Sequence, residues 1–530
     1  MQKPDPGRRQ VWAVAALFFT LGLGLQLWRL EGLTASFDQG LFLQELWSGG
    51  QGRFFESTLS SELSAAVKLQ GQLPQLGYLH SSQHLNLLTL LWIPLVALLG
   101  IYALPLVQVS LLTAAGLVLY ALAREQVAAP IAARICFAYF ASVTVIGPLL
   151  ENFHDLSSIP LLGFLLIWAL LRGEGLWALG AAVLITLVRG DAGILSFGIG
   201  GWALLRLGGR RRLWGLAVLL YSLVYVVLVT AWLQPLLGAD VNDRFMNEKF
   251  GQFLQGRSGG TLELLAVMLH QPGLLLQELV SPPGRSLEYL LAPMLPLALV
   301  PLLSLDGWLL IAAPLFVALA AKGFSALATT LRYVLYLAPG VFAGAALWWH
   351  SHPELFERRW FRRCWTAAIG LSLVLAISAN PHQSFSALIP DSIKPWAQAG
   401  IPEQWARRQA ALGALAVIPA GASVAAQTPL LPRLAQRQVL LRYPYHSDYL
   451  DRTGKPQAVD WIALLPRYQK PFLQAFDYER DGYAVLKART LQLLDQGSYG
   501  VAHCADGALV LQRGASTTPA ARACVAAAFR

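Results

Sequence analysis

The sequence predicts an all-α polytopic membrane protein with about 11 transmembrane helices, followed by a soluble α/β domain at the C-terminus. Hydrophobic residues make up 55% of the 530 positions and charged residues only 13%. The mean hydropathy is +0.50. A soluble protein of this length does not need so much apolar surface. The apolar runs end near residue 380, and the remaining segment has a different composition, which predicts two domains at 1–380 and 381–530.

The first apolar run, residues 11–30, has about the 20 residues that cross a bilayer core. Arg8 and Arg9 precede it, as they would in a signal peptide. A retained anchor is the favoured interpretation, because the run is long, no clear A-x-A cleavage site follows and further spans come later.

Ten more apolar stretches follow the first span. The stretch 85–123 is too long for one helix and is interrupted at Gly100 to Pro105. It is counted as one net crossing, although two full spans would also fit its length. The other stretches are 131–150, 157–171, 175–188, 192–206, 213–237, 287–304, 306–321, 326–349 and 364–380.

Basic clusters predict the orientation in the membrane. The clusters at Arg124 to Arg134, Arg206 to Arg212 and Arg358 to Arg363 are expected in the cytoplasm. Outer loops are then expected at 31–84 and 238–286, and the C-terminal domain lies outside the cytoplasm. We therefore expect an integral protein of the plasma (inner) membrane. The net charge of +10 reflects this orientation signal, and no nucleic-acid partner is expected.

The segment 381–530 has the size of an ordinary domain. Short β-type runs such as Val439 to Leu441 and Ala508 to Leu511 predict strands. Cys504 and Cys524 lie in this segment. They form either a disulfide, if the compartment is oxidising, or two unpaired thiols, and the sequence favours neither.

Asp38 follows the first span, at the predicted membrane boundary. One interpretation is an N-cap for a helix over 41–47, which suits aspartate. The other is a general base that takes a proton from an acceptor hydroxyl. The capping role is the commoner one for such a residue.

Two histidines close the same outer loop. His80 and His84 are four residues apart and would share one face of a helix, the spacing of paired metal ligands. Asp38 or Glu62 could be a third ligand, but no strict zinc signature is present. No cofactor is assigned, a divalent metal is left open, and so is a role in holding a phosphate or a sugar.

Two further outer turns are unusually polar. His154 and Asp155 separate two apolar runs, and Arg189 and Asp191 separate the next pair. The second pair could be a local salt bridge of little energetic worth. Ionisable groups at membrane depth are nevertheless candidates for function.

Two arginines complete the candidates for substrate binding. Arg244 lies in the outer loop 238–286, and Arg332 stands in an apolar run where it needs a partner. A lipid phosphate would suit its bidentate fork. The alternatives for Arg332 are a carboxylate such as Glu288 or Asp306, or snorkelling to the surface. No P-loop or Rossmann glycine signature is present, which disfavours ATP-driven transport by this chain alone.

Several strings resemble the domain of unknown function 2079 family. Ser36 to Phe42, the later His84, and Asn152 to Asp155 look like that family's first loop and second outer turn. The run from Arg244 through His270-Gln271-Pro272 to Leu297 is similar to its central block, and Ile418 to Arg437 is similar to the start of its outer domain. In this chain Arg332-Tyr333 stands where the family pattern suggests a His-Tyr pair.

The family's layout resembles the GT-C class of membrane glycosyltransferases. That resemblance implies a sugar donor on a polyprenyl phosphate, an acceptor that the sequence does not identify, and a catalytic carboxylate at Asp38. His80, His84, Arg189 and Arg332 would hold the leaving phosphate. A lipid or solute transporter and a non-enzymatic envelope assembly protein are the alternatives. We further predict that Asp38, His84, His154 and Asp191 face one cavity.

Overall fold

The structure is a computed structural model that describes residues 6–233, 236, 246–254, 261–323 and 325–530. Contacts within the chain divide it into two compact units. The first unit comprises 1–24, 81–89 and 106–381, and the second comprises 25–80, 90–105 and 382–530. Most of the loop 31–84, which was predicted to belong to the membrane domain, packs within the second unit.

Most helices of the first unit follow the apolar runs of the sequence, and further helices lie within the segment 238–286 that was predicted as an outer loop. Two of the first unit's helices, α1 and α6, each have one end in the second unit. The bounds are α1 Pro6–Glu31, α6 Ala103–Gln126, α7 Ala129–Phe140, α8 Val143–Leu150, α9 Ile159–Arg172, α10 Gly175–Val188, α11 Gly193–Arg206, α12 Gly209–Leu228, α13 at residues 246–254, α14 Thr261–His270, α15 Pro272–Leu279, α16 Pro283–Leu291, α17 Leu305–Ala320, α18 Ala338–Ser351 and α19 Arg359–Ser378.

Five stretches of the described residues are long and apolar enough to cross a membrane. They are Gly7–Glu31, Leu87–Gln126, Asp155–Arg172, Gly209–Leu228 and Arg359–Ser378. The pair α7 and α8, bent by 43°, gives a sixth if it is one span. The predicted number of 11 is therefore not confirmed.

Several predicted spans form helices that are shorter than a bilayer core. The apolar helices α10 and α17 have 14 and 16 residues. The predicted span 287–304 contains three prolines and breaks into the end of α16 and two 3₁₀ turns, at Leu295–Leu297 and Val300–Leu303. Proline removes a backbone donor and clashes with the preceding turn, so an apolar run does not guarantee a continuous helix.

The core of the first unit is built from aliphatic and aromatic side chains. Trp349 of α18 stacks on Trp365 of α19, with ring centroids 5.2 Å apart, and both are fully buried. Glycines allow α17 and α18 to approach closely. A Cβ atom on Gly344 would lie 2.4 Å from the Cα atom of Gly307, so a larger residue would push these two helices apart.

The second unit contains the predicted α/β fold. Its helices are α2 Phe37–Gly50, α3 Thr58–Ser61, α4 Ala65–Lys68, α5 Ile93–Leu99, α20 Ile401–Leu415, α21 Leu431–Leu434, α22 Asp477–Asp495 and α23 Pro519–Ala528. Its strands are β1 Ser392–Ile393, β2 Trp396–Ala397, β3 Val424–Gln427, β4 Leu440–Tyr443, β5 Asp448–Leu450, β6 Pro456–Ala458, β7 Trp461–Leu464, β8 Tyr499–Ala505 and β9 Ala508–Arg513.

The main sheet is five-stranded and mixed, in the order β4-β3-β7-β9-β8. Strand β3 is parallel to β4 and β7, whereas β9 is antiparallel to β7 and β8. Both runs predicted as strands lie in this sheet, as β4 and β9. A disulfide joins Cys504 and Cys524, with Cα atoms 6.2 Å apart, which settles the choice between a disulfide and two free thiols.

Candidate functional site

A cavity of about 750 Å³ lies inside the first unit. Its wall is largely apolar and comes from α11, α12, α14 and α17, together with residues from α13 and the loops. The polar and aromatic groups used below are His84, Arg189, Asp191, Lys249, Tyr333 and Tyr336. A cavity of this volume with a few polar groups in an apolar wall is typical of a binding site for an organic ligand.

Arg189 and Asp191 reach the cavity because the chain turns sharply between two helices. Helix α10 ends at Val188, Arg189 has extended dihedral angles, and Gly190–Ala192 form one 3₁₀ turn before α11 begins at Gly193. A Cβ atom on Gly193 would lie 2.6 Å from Val226 Cγ2, so glycine allows α12 to pack closely at this turn. Both side chains therefore lie at a tight turn between two packed helices.

The two side chains form a bidentate ion pair. Arg189 Nε donates to Asp191 Oδ1 at 2.5 Å, and Nη2 donates to Oδ2 at 2.8 Å. The arginine side chain is only 1% exposed, whereas the aspartate is 42% exposed. Because Asp191 lines the cavity, this exposed surface belongs to the cavity wall. The sequence left open a local salt bridge or a functional role for this pair, and the salt bridge is present. The burial of Arg189 distinguishes it from a weak surface pair.

Further cations and tyrosines surround this pair. The Arg189 guanidinium carbon lies 5.4 Å from the centroid of the Tyr333 ring, and Lys249 Nζ lies 5.1 Å from the same centroid. Both distances suit cation–π contacts. Burial by itself would raise the pKa of Asp191, but the Arg189 guanidinium, with Lys249 and His84, holds that pKa well below its usual range. Asp191 is therefore an anion.

Two polar atoms of the cavity-lining residues are buried and make no hydrogen bond with the described residues. They are Arg189 Nη1 and the Tyr336 hydroxyl. Both are donors, and a buried donor without a partner costs free energy. An acceptor-rich anion in the cavity would satisfy both of them. Lys249, Lys322 and Tyr336 were not among the predicted site residues, because a tyrosine in an apolar run and lysines in a loop carry no distinctive spacing.

His154 Nδ1 contacts Asp155 Oδ1, and both side chains are buried. The buried amide of Gln108 holds the surrounding turn. Its Nε2 donates to the carbonyls of Pro148, Leu149 and Glu151 at 3.0–3.1 Å, and its Oε1 accepts from the backbone N–H of His154 at 3.1 Å. In the sequence, Gln108 could have been noticed as a polar residue within the apolar run 85–123.

The carboxylate partner of Arg332 is Glu151, which differs from the two predicted partners. Arg332 Nη1 is paired with Glu151 Oε1, and its backbone N–H donates to Glu151 Oε2 at 2.8 Å. Asp306, one of the predicted partners, instead accepts from Trp202 Nε1 and Arg206 Nε, each at 2.8 Å. A carboxylate pair is thus present, and binding of a lipid phosphate by Arg332 stays a prediction.

The two loop histidines do not share a helix face. His80 begins a single 3₁₀ turn, His80–Ser82, whereas His84 lies beyond it in irregular backbone. Too few residues continue the turn, so the i,i+4 geometry of the prediction does not form. His80 Nδ1 lies 2.7 Å from Ser60 Oγ within the second unit. His84 lines the cavity of the first unit. Within the described residues, no group of three or more histidine, cysteine, aspartate or glutamate side chains could hold a metal ion.

Asp38 does not cap a helix. Helix α2 begins at Phe37 with Ser36 in the N-cap position, so Asp38 lies in the first turn, where the helix dipole favours a negative charge. Asp38 belongs to the second unit, and its place in a common site stays a prediction. Within the first unit, His84 and Asp191 line the same cavity. Arg244 lies outside the described residues.

Helices long and apolar enough to cross a membrane, together with an internal cavity that has a few charged groups in its wall, are features of a helical membrane protein. The chain belongs to the family described as "Predicted membrane protein (DUF2079)", which it matches over residues 27–510. This confirms the resemblance that the short motifs indicated. No match was found among the curated proteins.

Among solved structures, the chain is similar to ArnT from Cupriavidus metallidurans bound to undecaprenyl phosphate. The identity is 11% and the TM-score is 0.47, over 94% of this chain and 97% of the other. At this identity and score, the likeness identifies no activity for the chain.

Proposed function

We propose that the protein is a membrane glycosyltransferase of GT-C type that transfers a sugar from a polyprenyl-phosphate donor to an extracytoplasmic acceptor. The observation that supports this most is the composition of the cavity wall. Arg189 Nη1 and the Tyr336 hydroxyl are buried donors in this wall, and most of the remaining wall is apolar. An amphiphile with an anionic head and a hydrocarbon tail has the matching chemistry.

A phosphate is the head group that these donors suit. Its oxygens accept several hydrogen bonds at once, and a guanidinium binds them in a fixed geometry. Asp191 keeps the Nε–Nη2 edge of Arg189 in place and leaves Nη1 for the ligand. Lys249 also lines the cavity and adds positive charge that attracts an anion, and His84 lies in the same wall. Lys322, another lining cation, is held by Glu278 Oε2 at 2.9 Å.

The proposed reaction is a single displacement at the anomeric carbon. The oxygen of the acceptor hydroxyl forms a bond to that carbon, the bond to the phosphate oxygen breaks, and its electron pair leaves with the phosphate. The carboxylate of Asp38 takes the hydroxyl proton as general base. Attack opposite the leaving group inverts the configuration. Buried cations stabilise the charge that develops on the departing phosphate.

The remaining predicted residues have narrower parts in this proposal. Arg332 supports the first unit, because its ion pair with Glu151 joins two segments that are distant in the sequence. His154 and Asp155 remain candidates for substrate binding in the turn that Gln108 holds. His80 supports the loop that follows Asp38 in the second unit, and Arg244 remains a candidate for donor binding. The segment 381–530 would recognise the acceptor outside the cytoplasm. The Cys504–Cys524 disulfide supports that location, since disulfides persist in oxidising compartments.

The test is donor turnover by purified protein in lipid nanodiscs. A polyprenyl-phosphate sugar is supplied with envelope fractions as acceptor, and released polyprenyl phosphate is measured. Arg189→Gln should lower release at least about tenfold, since one buried charged contact is worth more than about 1.4 kcal/mol. The matched control is Arg206→Gln, which breaks another arginine–aspartate pair, the one with Asp306.

The outcomes separate the proposal from its rivals. Release that requires Arg189 and not Arg206 supports an enzyme. Binding of undecaprenyl phosphate without any sugar release, for every donor sugar supplied, would favour a lipid transporter. Absence of both binding and release would favour an assembly protein and would overturn the proposal.

A further inference from the structure

A second cavity, of about 450 Å³, lies within the second unit. Its wall comes from the start of α20, the loop after β7, the turn between β8 and β9, and α23. The volume is in the range of binding sites for small organic ligands. No part of this wall belongs to the proposed donor site, so the cavity is a candidate for a different ligand.

The cavity lies where the topology of the main sheet favours a ligand. Strand β3 pairs with β4 on one side and with β7 on the other, and all three strands are parallel. The chain therefore crosses from one side of β3 to the other after β4. In open α/β sheets, ligands bind outside the carboxyl ends of the strands beside such a reversal. Arg467 and Lys470, just beyond the carboxyl end of β7, both line the cavity.

Hydrogen bonds hold the loop after β7 in place. Gln427, the last residue of β3, accepts from the backbone N–H of Leu465 at 2.7 Å and donates to Gln469 Oε1 at 3.1 Å. Arg467 donates to the carboxylate of Glu403 through Nε at 2.9 Å and through Nη2 at 2.8 Å. This bidentate pair leaves Arg467 Nη1 available to a ligand in the cavity.

Asp506 enters the same wall from a tight hairpin turn. Asp506 and Gly507 join β8 to β9, with φ angles of 52° and 79°. Positive φ at both residues is the geometry of a two-residue hairpin turn, and Asp-Gly is a preferred sequence for it. A Cβ atom on Gly507 would lie 2.9 Å from Arg467 Cβ, so glycine lets the turn pack against the loop after β7. The turn thus presents the Asp506 carboxylate at the cavity wall.

The charges around this cavity do not cancel. The fully buried Arg407 stands behind Glu403 and donates to it through Nε at 3.3 Å. Burial would raise the pKa of Glu403, but Arg467 and Arg407 hold that pKa below its ordinary value, so Glu403 is an anion. With Lys470, three cations therefore face two carboxylates, those of Glu403 and Asp506. One positive charge is left over, which a ligand with a single negative charge would balance.

The other groups in the wall narrow the class of ligand. A carboxylate carries one negative charge, whereas a phosphate monoester carries about 1.5 to 2 at pH 7, so a carboxylate fits better. The Asp506 carboxylate only accepts hydrogen bonds and therefore suits hydroxyl groups of the ligand. Pro471, Ala527 and Ala528 supply an apolar face for the C–H groups of a ring. A sugar with a carboxyl group has all three features.

We propose that this cavity binds a sugar that carries a carboxylate, as a uronic acid does. Lys470 and Arg467 Nη1 donate to the carboxylate, and Asp506 accepts from the ring hydroxyls. Binding of the sugar is independent of the proposed function. Its assignment to the acceptor rests on that function, which gives acceptor recognition to the segment 381–530. The acceptor is then an acidic glycan.

The first experiment compares three probes on the full chain in nanodiscs, titrated by saturation-transfer NMR. Methyl glucuronide carries the carboxylate, methyl glucoside replaces it with a hydroxymethyl group, and glucose 6-phosphate replaces it with a phosphate. Methyl glucuronide should bind at least about tenfold more tightly than methyl glucoside, the effect of one charged hydrogen bond. Equal binding of the two glycosides, no binding of methyl glucuronide, or tighter binding of glucose 6-phosphate would each overturn the proposal.

Two variants locate the binding in the cavity. Lys470→Gln removes the unpaired cation and should weaken methyl glucuronide binding at least about tenfold. Its control is Lys487→Gln, an exposed lysine of α22 outside the cavity wall. Ala527→Trp fills the cavity from an exposed position of α23 and should abolish binding, with Ala526→Trp, also exposed, as its control. Unchanged affinity in both Lys470→Gln and Ala527→Trp would overturn the proposed site.

The assignment to the acceptor is tested by donor turnover. With envelope fractions as acceptor, Ala527→Trp should lower the release of polyprenyl phosphate, and binding of undecaprenyl phosphate should stay as in the unmodified protein. Unchanged release in this variant would overturn the assignment to the acceptor. If the unmodified protein releases no polyprenyl phosphate from any donor, the proposed function fails, and methyl glucuronide binding still decides whether the sugar site exists.

Discussion

The side-chain hydroxyl of Thr58 satisfies both backbone hydrogen-bonding groups of Leu440. It donates to the Leu440 carbonyl at 2.8 Å and accepts from the Leu440 N–H at 3.0 Å. Leu440 lies on β4, the edge strand of the main sheet. The loop 31–84, through this side chain, covers the edge of the sheet. The edge would otherwise be free to pair with another chain. Gln44 joins this contact by donating to Thr58 Oγ1 at 3.1 Å.

Thr58→Val keeps the shape of the side chain and removes the hydroxyl. The N–H and the carbonyl of Leu440 would then be buried without a partner, at a cost of about 1–3 kcal/mol each. We expect a lower melting temperature of the purified protein, measured by intrinsic fluorescence. The control is Thr453→Val, which removes an exposed hydroxyl bonded to Asp451 in the same unit. Equal melting temperatures for the two variants would contradict the role of Thr58.

Glu62 makes the same edge sensitive to pH. Its buried carboxylate accepts from the backbone N–H of Arg442 at 2.5 Å, next to the Thr58 contact. Burial raises the pKa of Glu62 from its ordinary 4.5 to about 7, although the Arg442 charge opposes the shift. The folded state therefore binds more protons than the unfolded state between these values. Stability should fall as pH rises from about 4.5 to about 7 and should level off above.

Glu62→Gln should remove this part of the pH dependence. The amide oxygen can still accept the Arg442 N–H, and no charge is buried at high pH. We expect the melting temperature of the variant to vary less with pH than that of the unmodified protein over this window. A variant whose profile has the same slope would show that Glu62 does not titrate there.

Asp38→Asn should abolish sugar transfer and leave the fold intact. Asparagine has the same shape and is tolerated in the first turn of α2, but it cannot take a proton from an acceptor hydroxyl. Turnover should drop by about 10²–10⁴-fold, the usual contribution of a general base. Binding of undecaprenyl phosphate, measured in parallel, should be unchanged. Full transfer activity in this variant would exclude Asp38 as the base.

The role of Arg332 can be decided by measuring protein stability and donor binding separately. Arg332→Leu leaves the Glu151 carboxylate, which is 5% exposed, without its paired charge. Breaking such a pair costs up to about 3–5 kcal/mol. We expect a lower melting temperature that is partly restored in the double variant Arg332→Leu, Glu151→Gln. A single variant with normal stability and no donor binding would instead support the originally predicted phosphate contact.

The location of the C-terminal domain can be tested with a topology reporter fused after Arg530. The basic residues Arg358 to Arg363 precede α19, the last candidate span, and such clusters remain in the cytoplasm. The reporter should therefore behave as exported, and Cys504 and Cys524 should resist alkylation until they are reduced. Cytoplasmic activity of the reporter would reverse the proposed orientation.

The amino-acid sequence by itself determined the class of protein and the position of its polar interruptions. The thickness of the bilayer fixes how long an apolar run must be to cross it, and such runs can be read from the sequence. In the last 150 residues, the runs predicted as strands form β4 and β9. Arg189 and Asp191 were identified for a similar reason. They are two residues apart in the sequence, so their pairing depends only on the local conformation of the chain. A short motif can therefore indicate it.

Tertiary structure alone decided which distant residues share an environment. Tyr336 joins Arg189 in the cavity wall across 147 residues, and Thr58 meets Leu440 across 382 residues. Neither pairing leaves a periodic signal, because each depends on how separate elements pack. The same limit explains Arg332, whose partner proved to be Glu151 rather than Glu288 or Asp306. A buried charge requires an opposite charge, but only the packing of the helices determines which one lies within reach.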